Sequence, residues 1–365
     1  GLAAAAFMAA AAFGQVRGRT DYEALARELD PAAIRKHVEF FAGLGSRVSG
    51  YPGNEKAADY ILGYFKRLGL ETYVQQFWMP TPLDLGCYLE VGGRRYEIGA
   101  LWPNLVRTCQ VPPEGIEGPL IYVGEGKLSD FDGKPAENAI VLMDFNTGQH
   151  WLHAPLVGAA AVVFLAPPKT TRGEAEMKFL QCPVNVPRFY IRGDAAAQVL
   201  ALAIAAQPRA RIVTDVHWVN KLNRNIIGIL RGADPQLSKE AVIISAYYDS
   251  VSVVPRWAPG AENAIGIATL LELARVFTKH RPARSVIFLA TSGHFQALAG
   301  AREFVRLWGQ EPRRARDRYK QLRHLERRIR QLENDRKLVD RELERLQRKI
   351  QRHEQLGVPL PVTER

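Results

Sequence analysis

Three side chains that can bind a metal ion or transfer a proton follow apolar segments in the second half of the chain. Asp249 and Glu262 lie in one polar loop, and His294 follows a later apolar run. Carboxylates and imidazoles are the ligands that catalytic zinc takes in proteins. Loops that leave the carboxyl ends of neighbouring strands meet at one edge of an open α/β sheet. The sequence therefore predicts one polar pocket, either a metal site or a solvated, hydrogen-bonded remnant without metal.

The elements that would position these residues alternate between strand and helix. We predict strands at 225–230, at 242–245 and at 285–290, because these runs are short, apolar and rich in β-branched residues. Helices are expected at 264–277, where apolar residues recur at helical spacing, and at 296–308. We expect the strand at 242–245 to be buried. The order strand, strand, helix, strand, helix indicates the core of an α/β sheet.

Two motifs in this region and one near the start resemble a known family, the co-catalytic di-zinc exopeptidases. That family includes bacterial zinc aminopeptidases, glutamate carboxypeptidase and the transferrin receptor, and it typically has A-H-x-D-S after a strand and G-A-D-D-N-A-S-G before a helix. The matching residues here are Ala246, Asp249, Ser250, Gly260, Asn263, Ala264 and Gly266. The family's opening motif is matched by Ser46, Arg47, Gly50, Pro52, Gly53 and Asn54, then by Gly69, Leu70 and Glu71. The resemblance implies a mixed sheet flanked by helices.

The residues that would perform the family's chemistry are replaced in this chain. Tyr247 stands at the zinc-binding histidine, and Glu262 stands at the aspartate that bridges the two metals. His294 and Phe295 stand at the paired glutamates, a general base and a zinc ligand. Phenylalanine has no donor atom, and a tyrosine hydroxyl with a pKa of about 10 is a poor substitute for imidazole. In the family, the counterpart of Asp249 only orients the missing histidine. We therefore predict no catalytic residue, no metal ligand and no cofactor.

We predict that this region forms a degenerate-site pocket, which keeps the position of the family's active site without its catalytic and metal-binding residues. It consists of Tyr247, Asp249, Glu262, His294 and Phe295. Tyr247 and Phe295 are interpreted as apolar filling of a former metal cavity.

The rest of the chain divides by composition into further segments. Residues 20–79 and 217–310 are predicted to form the zinc-exopeptidase-like α/β domain. Residues 80–216 hold short β-type runs with turn residues and resemble a protease-associated domain, which the family carries as an insertion at this place. His150 and His153 flank a tryptophan there, and we interpret them as surface structure because no third metal ligand is in reach by spacing.

The segment 311–356 is predicted to be a basic coiled-coil helix, followed by an extended tail at 357–365. From Arg313 to Gln355 the sequence has neither proline nor glycine. One core heptad position takes Leu322, Ile329, Arg336, Leu343 and Ile350, and the other takes Leu325, Leu332, Val339, Leu346 and His353. Eight of these ten are aliphatic, which is typical of a coiled coil. We expect self-association or docking to a partner protein, with Arg336 either setting register or reaching out to water.

The net charge of +11 is concentrated in this helix. Between Arg313 and His353 there are 16 Lys and Arg against 7 Asp and Glu. Such a surface suits an anionic membrane or an acidic partner, and a merely solvated charged face is the plain alternative. Acidic residues interspersed among the basic ones, and the lack of interleaved aromatics, argue against nucleic acid.

The N-terminal segment 1–19 is predicted to be a signal or membrane-anchor remnant. Its first fourteen residues, Gly1 to Gly14, form an uninterrupted apolar run. This predicts an extracytoplasmic protein, periplasmic or at the cell surface. Cys87, Cys109 and Cys182 provide neither a zinc spacing nor a disulfide framework.

Three functions remain open from the sequence. The first is a catalytically inactive peptidase-like protein that acts as an extracytoplasmic binding, scaffolding or assembly module. The second is a zinc-dependent exopeptidase, an aminopeptidase or amidase, with non-standard ligands. The third is a coiled-coil protein that binds anionic surfaces.

Overall fold

The computed structural model describes residues 22–103, 108–179, 184–308 and 312–356. The chain divides into two compact units, one ending at Phe304 and the other beginning at Val305. The predicted N-terminal signal segment, the predicted tail at 357–365 and Cys182 lie outside the described residues.

The described helices and strands alternate along most of the chain. The helices are α1 (Tyr22–Arg27), α2 (Pro31–Ala42), α3 (Pro52–Arg67), α4 (His153–Leu156), α5 (Arg172–Glu176), α6 (Gly193–Ala206), α7 (Ile265–Lys279), α8 (Ala299–Trp308) and α9 (Pro312–Leu356). The strands are β1 (Glu71–Val91), β2 (Arg94–Ala100), β3 (Ile116–Tyr122), β4 (Ile140–Asp144), β5 (Ala161–Leu165), β6 (Arg188–Ile191), β7 (Arg209–Leu230), β8 (Ala241–Tyr247) and β9 (Ser285–Thr291).

A long antiparallel ribbon of β1 and β7 joins two parts of the sheet. The ribbon is paired from Glu71 with Ile229 to Val91 with Ala210. At one end β7 pairs with β9, and β9 pairs in parallel with β8. At the other end β2, β6, β5, β4 and β3 lead from β1 back to β7, so the strand pairing closes on itself. The mixed α/β fold with flanking helices that we predicted is confirmed.

Two apolar clusters stabilise these two ends. The first fills the interior formed by β2 to β6 and includes Trp151 and Phe164, both fully buried. The second packs α2, α3 and α7 against β7 and β9, with Phe65 and Phe288 fully buried. Full burial of such a side chain contributes about 1.5–3 kcal/mol each. The predicted domain boundaries near residues 80 and 216 fall within β1 and β7, and the division into two domains stays a prediction.

The expectation that residues 242–245 form a buried strand is wrong. The strand exists as β8, but Val242 and Ile243 are 48% and 50% exposed. The reason is position in the sheet, because β8 is the outermost strand in the pairing order of the described residues. A short apolar run predicts a strand but does not distinguish a central strand from an edge strand.

The predicted helix at 296–308 begins three residues later than expected, as α8 at Ala299. Ala297 and Leu298 adopt positive φ angles of 54° and 57°, which no helical residue has, so the chain turns before the helix starts. The long C-terminal helix is confirmed as one continuous element, α9. Within the described ranges, we find no helix with the length and apolarity that a membrane span needs.

Candidate functional site

The predicted pocket lies where the parallel strands β8 and β9 end. Tyr247, the last residue of β8, is paired with Thr291, the last residue of β9. The chain segments that leave this edge carry Asp249 on one side and His294 with Phe295 on the other. Parallel pairing in this register is what brings residues more than forty positions apart into contact.

Three aromatic rings pack on one another at this edge. The ring centroids of Tyr247 and His294 are 4.0 Å apart with the planes inclined by 21°, which is a stacked arrangement. Phe295 meets both edge-on, at 5.4 Å from Tyr247 and 4.9 Å from His294. Burial lowers the pKa of His294, which favours the neutral imidazole. Stacked rings of this kind are held by dispersion and by apolar burial.

Asp249 lies beneath this cluster and is fully buried. Its Oδ2 accepts a hydrogen bond from the backbone N–H of His294 at 2.9 Å and a longer one from the Ser49 hydroxyl at 3.4 Å. Its Oδ1 is buried without a hydrogen-bond partner. Burial raises the pKa of the Asp249 carboxyl to about 7, against the lowering effect of the backbone hydrogen bonds.

A buried arginine fixes the loop that follows β8. The Arg47 guanidinium is inaccessible to solvent and donates to the backbone carbonyls of Phe41 at 2.9 Å, Tyr248 at 3.1 Å and Gly260 at 3.1 Å. It also donates to the carbonyl of Pro259. Burial lowers the pKa of Arg47 to about 10, and the nearby Asp249 opposes that shift. Arg47 therefore positions both ends of the loop, with four of its five N–H groups donating to backbone carbonyls.

The turn after β9 is fixed by a second set of hydrogen bonds. The Gly300 N–H donates to the Ser292 carbonyl at 3.0 Å. The Asn225 side-chain amide donates to the Gly300 carbonyl at 2.8 Å. These two hydrogen bonds keep Gly300 close to Ser292 and Asn225, and the turn between them holds His294 and Phe295 against Tyr247.

Glu262 does not join Asp249 in the buried part of the site. Its side chain is 74% exposed and lies 3.9 Å from the Arg172 guanidinium at the rim of a cavity. The structure thus brings four of the five predicted pocket residues into one cluster and leaves Glu262 at the mouth.

That cavity has a volume of about 770 Å³ and is bordered by Tyr247 and Phe295 on one side. Its other aromatic walls are Phe145, Phe179, Tyr190 and Trp257. The Arg192 guanidinium stacks on the Trp257 ring at 4.0 Å. Within the described part of the chain Arg192 has no carboxylate partner, whereas Arg172 pairs with Glu176 at 2.7 Å. The cavity combines apolar walls with two arginines, Arg172 and Arg192, and two glutamates, Glu176 and Glu262. The arginine without a carboxylate partner among the described residues, Arg192, suits an apolar group that bears an anion.

Sequence reasoning missed Arg172, Arg192 and Trp257 as cavity residues. A usable signal existed for Arg192, which directly follows β6. Since β6 runs parallel to β5, the rule that loops at strand carboxyl ends form sites applies to it as well. No comparable signal marks Trp257, whose place depends on contacts between distant segments.

His150 and His153 stack on each other, with ring centroids 5.7 Å apart. The His153 Nδ1 is 2.8 Å from the Gly126 carbonyl, which makes it the donor of a structural hydrogen bond. The hydrogen bond joins residues 27 positions apart in the chain.

Zinc is the metal that the resemblance implies, and the residues at the site do not fit it. Tyr247 presents a ring face to His294, Phe295 has no donor, and Glu262 points to solvent. In the described ranges, no group of three or more His, Cys, Asp or Glu side chains is arranged to hold a metal ion. A zinc pair requires several such ligands in fixed geometry.

Comparison with known proteins agrees with the fold. Residues 225–327 match the sequence profile of Peptidase family M28. Aminopeptidase YwaD of Bacillus subtilis (strain 168) is 25% identical over 265 residues, which cover 72% of this chain and 54% of that protein. A vacuolar membrane protease of Schizophyllum commune is 40% identical over 82 residues, or 22% of this chain and 8% of that protein.

Among solved structures, a zinc aminopeptidase from Bacillus subtilis superposes with a TM-score of 0.52 at 24% identity. The superposition covers 75% of this chain and 63% of that one. This chain thus spans little more than half the length of the first curated relative. The predicted resemblance is confirmed: the chain has the fold of a zinc aminopeptidase, and its residues 225–327 match the model of Peptidase family M28.

Proposed function

We propose that this chain is a catalytically inactive, peptidase-like protein that binds a ligand in the cavity beside Tyr247 instead of cleaving one. One observation carries the proposal. Tyr247, His294 and Phe295 hold the positions at which the resemblance places a zinc ligand, a general base and a second zinc ligand, and their rings pack against one another. Co-catalytic zinc chemistry needs ligand atoms and an open coordination position at those places.

Metal content and activity test the absence of catalysis. We expect the purified protein, dialysed against zinc and then against buffer, to retain far less than one zinc per chain by elemental analysis. We expect no hydrolysis of aminoacyl chromogenic substrates. About two zinc per chain, or turnover that is abolished by Glu262→Gln, would refute the proposal.

A restored ligand set provides the positive control. The triple variant Tyr247→His, His294→Glu and Phe295→Glu returns the family's groups to three positions and should bind zinc more tightly than the parent. The comparison is made by calorimetric titration with zinc, with folding checked by circular dichroism. If the folded variant binds no more zinc than the parent, the pocket differs from the family site in shape as well as in ligands.

The ligand that the cavity suits has an apolar or aromatic group and a carboxylate. Aromatic walls provide dispersion and apolar burial, and Arg192 provides a cation that is already ordered on Trp257. N-acetyl-Ala-Phe with a free carboxylate and its amide are matched probes. Calorimetric titration should show tighter binding of the acid, by about fivefold or more. Arg192→Ala should remove that preference, whereas Arg209→Ala, an exposed arginine paired with Glu117, should retain it.

A second candidate is a zinc-dependent exopeptidase with non-standard ligands. The observation in its favour is the buried Oδ1 of Asp249, which has no hydrogen-bond partner and belongs to a residue next to the positions at which the resemblance places the metal ligands. Retained zinc in the parent protein, lost in Asp249→Asn, would select this candidate over the first.

We also propose an extracytoplasmic location. The apolar run at 1–14 supports it, as does the description of several relatives as vacuolar membrane proteases. Fusion of residues 1–19 to a reporter that is active only after export gives the test. A reporter that stays inactive, while the same reporter with a known signal is exported, would contradict the location.

A further inference from the structure

The helix α9 exposes a regular apolar stripe. Its members are Leu325, Ile329, Leu332, Val339, Leu343, Leu346 and Ile350, each between 41% and 59% exposed. They are spaced alternately by four and three residues, with Arg336 taking the one remaining place in the series. A stripe with this spacing is buried by a second helix in a left-handed coiled coil.

We propose that α9 pairs with α9 of a second copy of this chain, in parallel and in register, and that Arg336 fixes this arrangement. The inference is independent of the cavity and of whether the protein is an enzyme. It rests on the charges that flank the stripe and on the single polar residue within it.

The charges beside the stripe disfavour an antiparallel pair. One core position of the stripe is taken by Leu325, Leu332, Val339 and Leu346. In an antiparallel pair, the residues that directly follow this position lie against the same set of residues in the partner helix. In α9 those residues are Glu326, Glu333, Asp340 and Gln347, all acidic or neutral. Carboxylates would face carboxylates in any antiparallel register, and like charges in such places are destabilising.

A parallel pair brings different flanks together. The other core position is taken by Ile329, Arg336 and Leu343. In a parallel pair, each residue that directly precedes this position meets the partner residue five positions further along the chain. Arg328 then meets Glu333 of the other copy, which is an attractive pair, and Glu342 meets the neutral Gln347. The one repulsive pair in the described part of the helix is Asp335 with Asp340.

That repulsive pair lies at the level of Arg336. Within one helix the Nε of Arg336 is 3.7 Å from the Oδ2 of Asp340. In the parallel pair, two Arg336 side chains enter the seam at one level, between two Asp335 and two Asp340. The two guanidinium groups separate the four carboxylates and neutralise part of their charge. In turn, the carboxylates pair with the positive charges of Arg336, which would otherwise be unpaired in the seam.

The same layer excludes a shifted register. A slip of one heptad would place each Arg336 against Ile329 or Leu343 of the partner, away from the other Arg336. The same slip would bring Asp335 against Glu333 and Glu342 against Asp340. A single polar residue at a core position is the established way in which coiled coils specify register, at some loss of stability.

Sedimentation equilibrium of the full chain, with charge-swapped variants, tests the proposal. We expect the parent to be dimeric at micromolar concentration. Arg336→Glu places six negative charges at one level and should raise the dimer dissociation constant at least tenfold. Arg341→Glu makes the same change on the opposite face of α9 and should leave it within twofold. The triple variant Arg336→Glu, Asp335→Arg and Asp340→Arg reverses every charge in the layer and should restore dimerisation.

Restoration by the triple variant separates loss of the interface from loss of the helix, and circular dichroism checks helicity in each case. A monomeric parent overturns the proposal. So does a dimer that tolerates Arg336→Glu, or a triple variant that remains dissociated while fully helical.

Disulfide trapping tests orientation. In a parallel pair Leu325→Cys faces its own copy and should be oxidised to a covalent dimer, in a Cys182→Ser background. In an antiparallel pair with full overlap, Leu325 would face Ile350, and two copies of position 325 would be about 37 Å apart. Cross-linking of Leu325→Cys to itself supports the parallel pair. Cross-linking only in a mixture with Ile350→Cys overturns it.

Discussion

Replacement of Asp249 by asparagine should make the stability of the protein less sensitive to pH. Burial raises the pKa of this carboxyl from 3.8 to about 7. Between these values the folded protein holds a proton that the unfolded chain has released. The free energy of unfolding therefore falls as the pH rises through this window. The displacement corresponds to about 4 kcal/mol, lost in full above pH 7.

Asparagine carries no charge at any pH, so the variant lacks this penalty. Its side-chain oxygen can accept the His294 N–H as the Asp249 Oδ2 does. Its NH2 group then occupies the place of Oδ1, which has no partner, at a cost of about 1–3 kcal/mol at every pH. At pH 4.5 the parent has already lost about 1 kcal/mol of the total, so we expect the variant to be less stable than the parent by at most about 2 kcal/mol. At pH 8 we expect the variant to be more stable by about 1–3 kcal/mol.

Urea unfolding followed by circular dichroism at pH 4.5, 6, 7 and 8 gives the free energy difference between variant and parent. Asp132→Asn changes an exposed carboxyl in the same way and should show no comparable trend. A variant whose difference from the parent is the same at pH 4.5 and pH 8 would show that Asp249 is not held protonated in the fold. The reasoning about its burial would then be wrong.

Three further substitutions follow from the structure. Arg47→Met should lower the free energy of unfolding by about 3 kcal/mol or more, because it leaves buried carbonyls without their donor; an unchanged urea midpoint would contradict this. Gly300→Ala should cost about 1–3 kcal/mol, since its Cβ would lie 2.3 Å from the Ser292 carbonyl oxygen and the backbone must shift; wild-type thermal stability would show that the turn is looser than described. Leu332→Asp combined with Leu343→Asp should yield a smaller species by light scattering, because two charges enter the apolar stripe of α9; an unchanged mass would place the contact between copies elsewhere.

Local sequence predicted the elements of the fold and the residues of the candidate site. The heptad pattern predicted the helix α9 throughout its length, because such a repeat is a property of the segment itself. The motif matches around Asp249 and Gly260 predicted the sheet and its loops. That Tyr247, His294 and Phe295 replace the family's ligands and base is also a prediction from the sequence, since these residues depart from an otherwise matching frame.

Only the tertiary structure decided which of these residues are exposed, which are buried and which contact one another. Whether β8 is central or at an edge depends on which strands pair beside it, and its own residues do not encode that. The exposure of Glu262 and the stacking of Tyr247 on His294 depend on the parallel register of β8 with β9. Arg192 and Trp257 meet at one cavity because the strand pairing brings distant segments together. The raised pKa of Asp249 arises from burial by all of these elements at once, which no single stretch of sequence specifies.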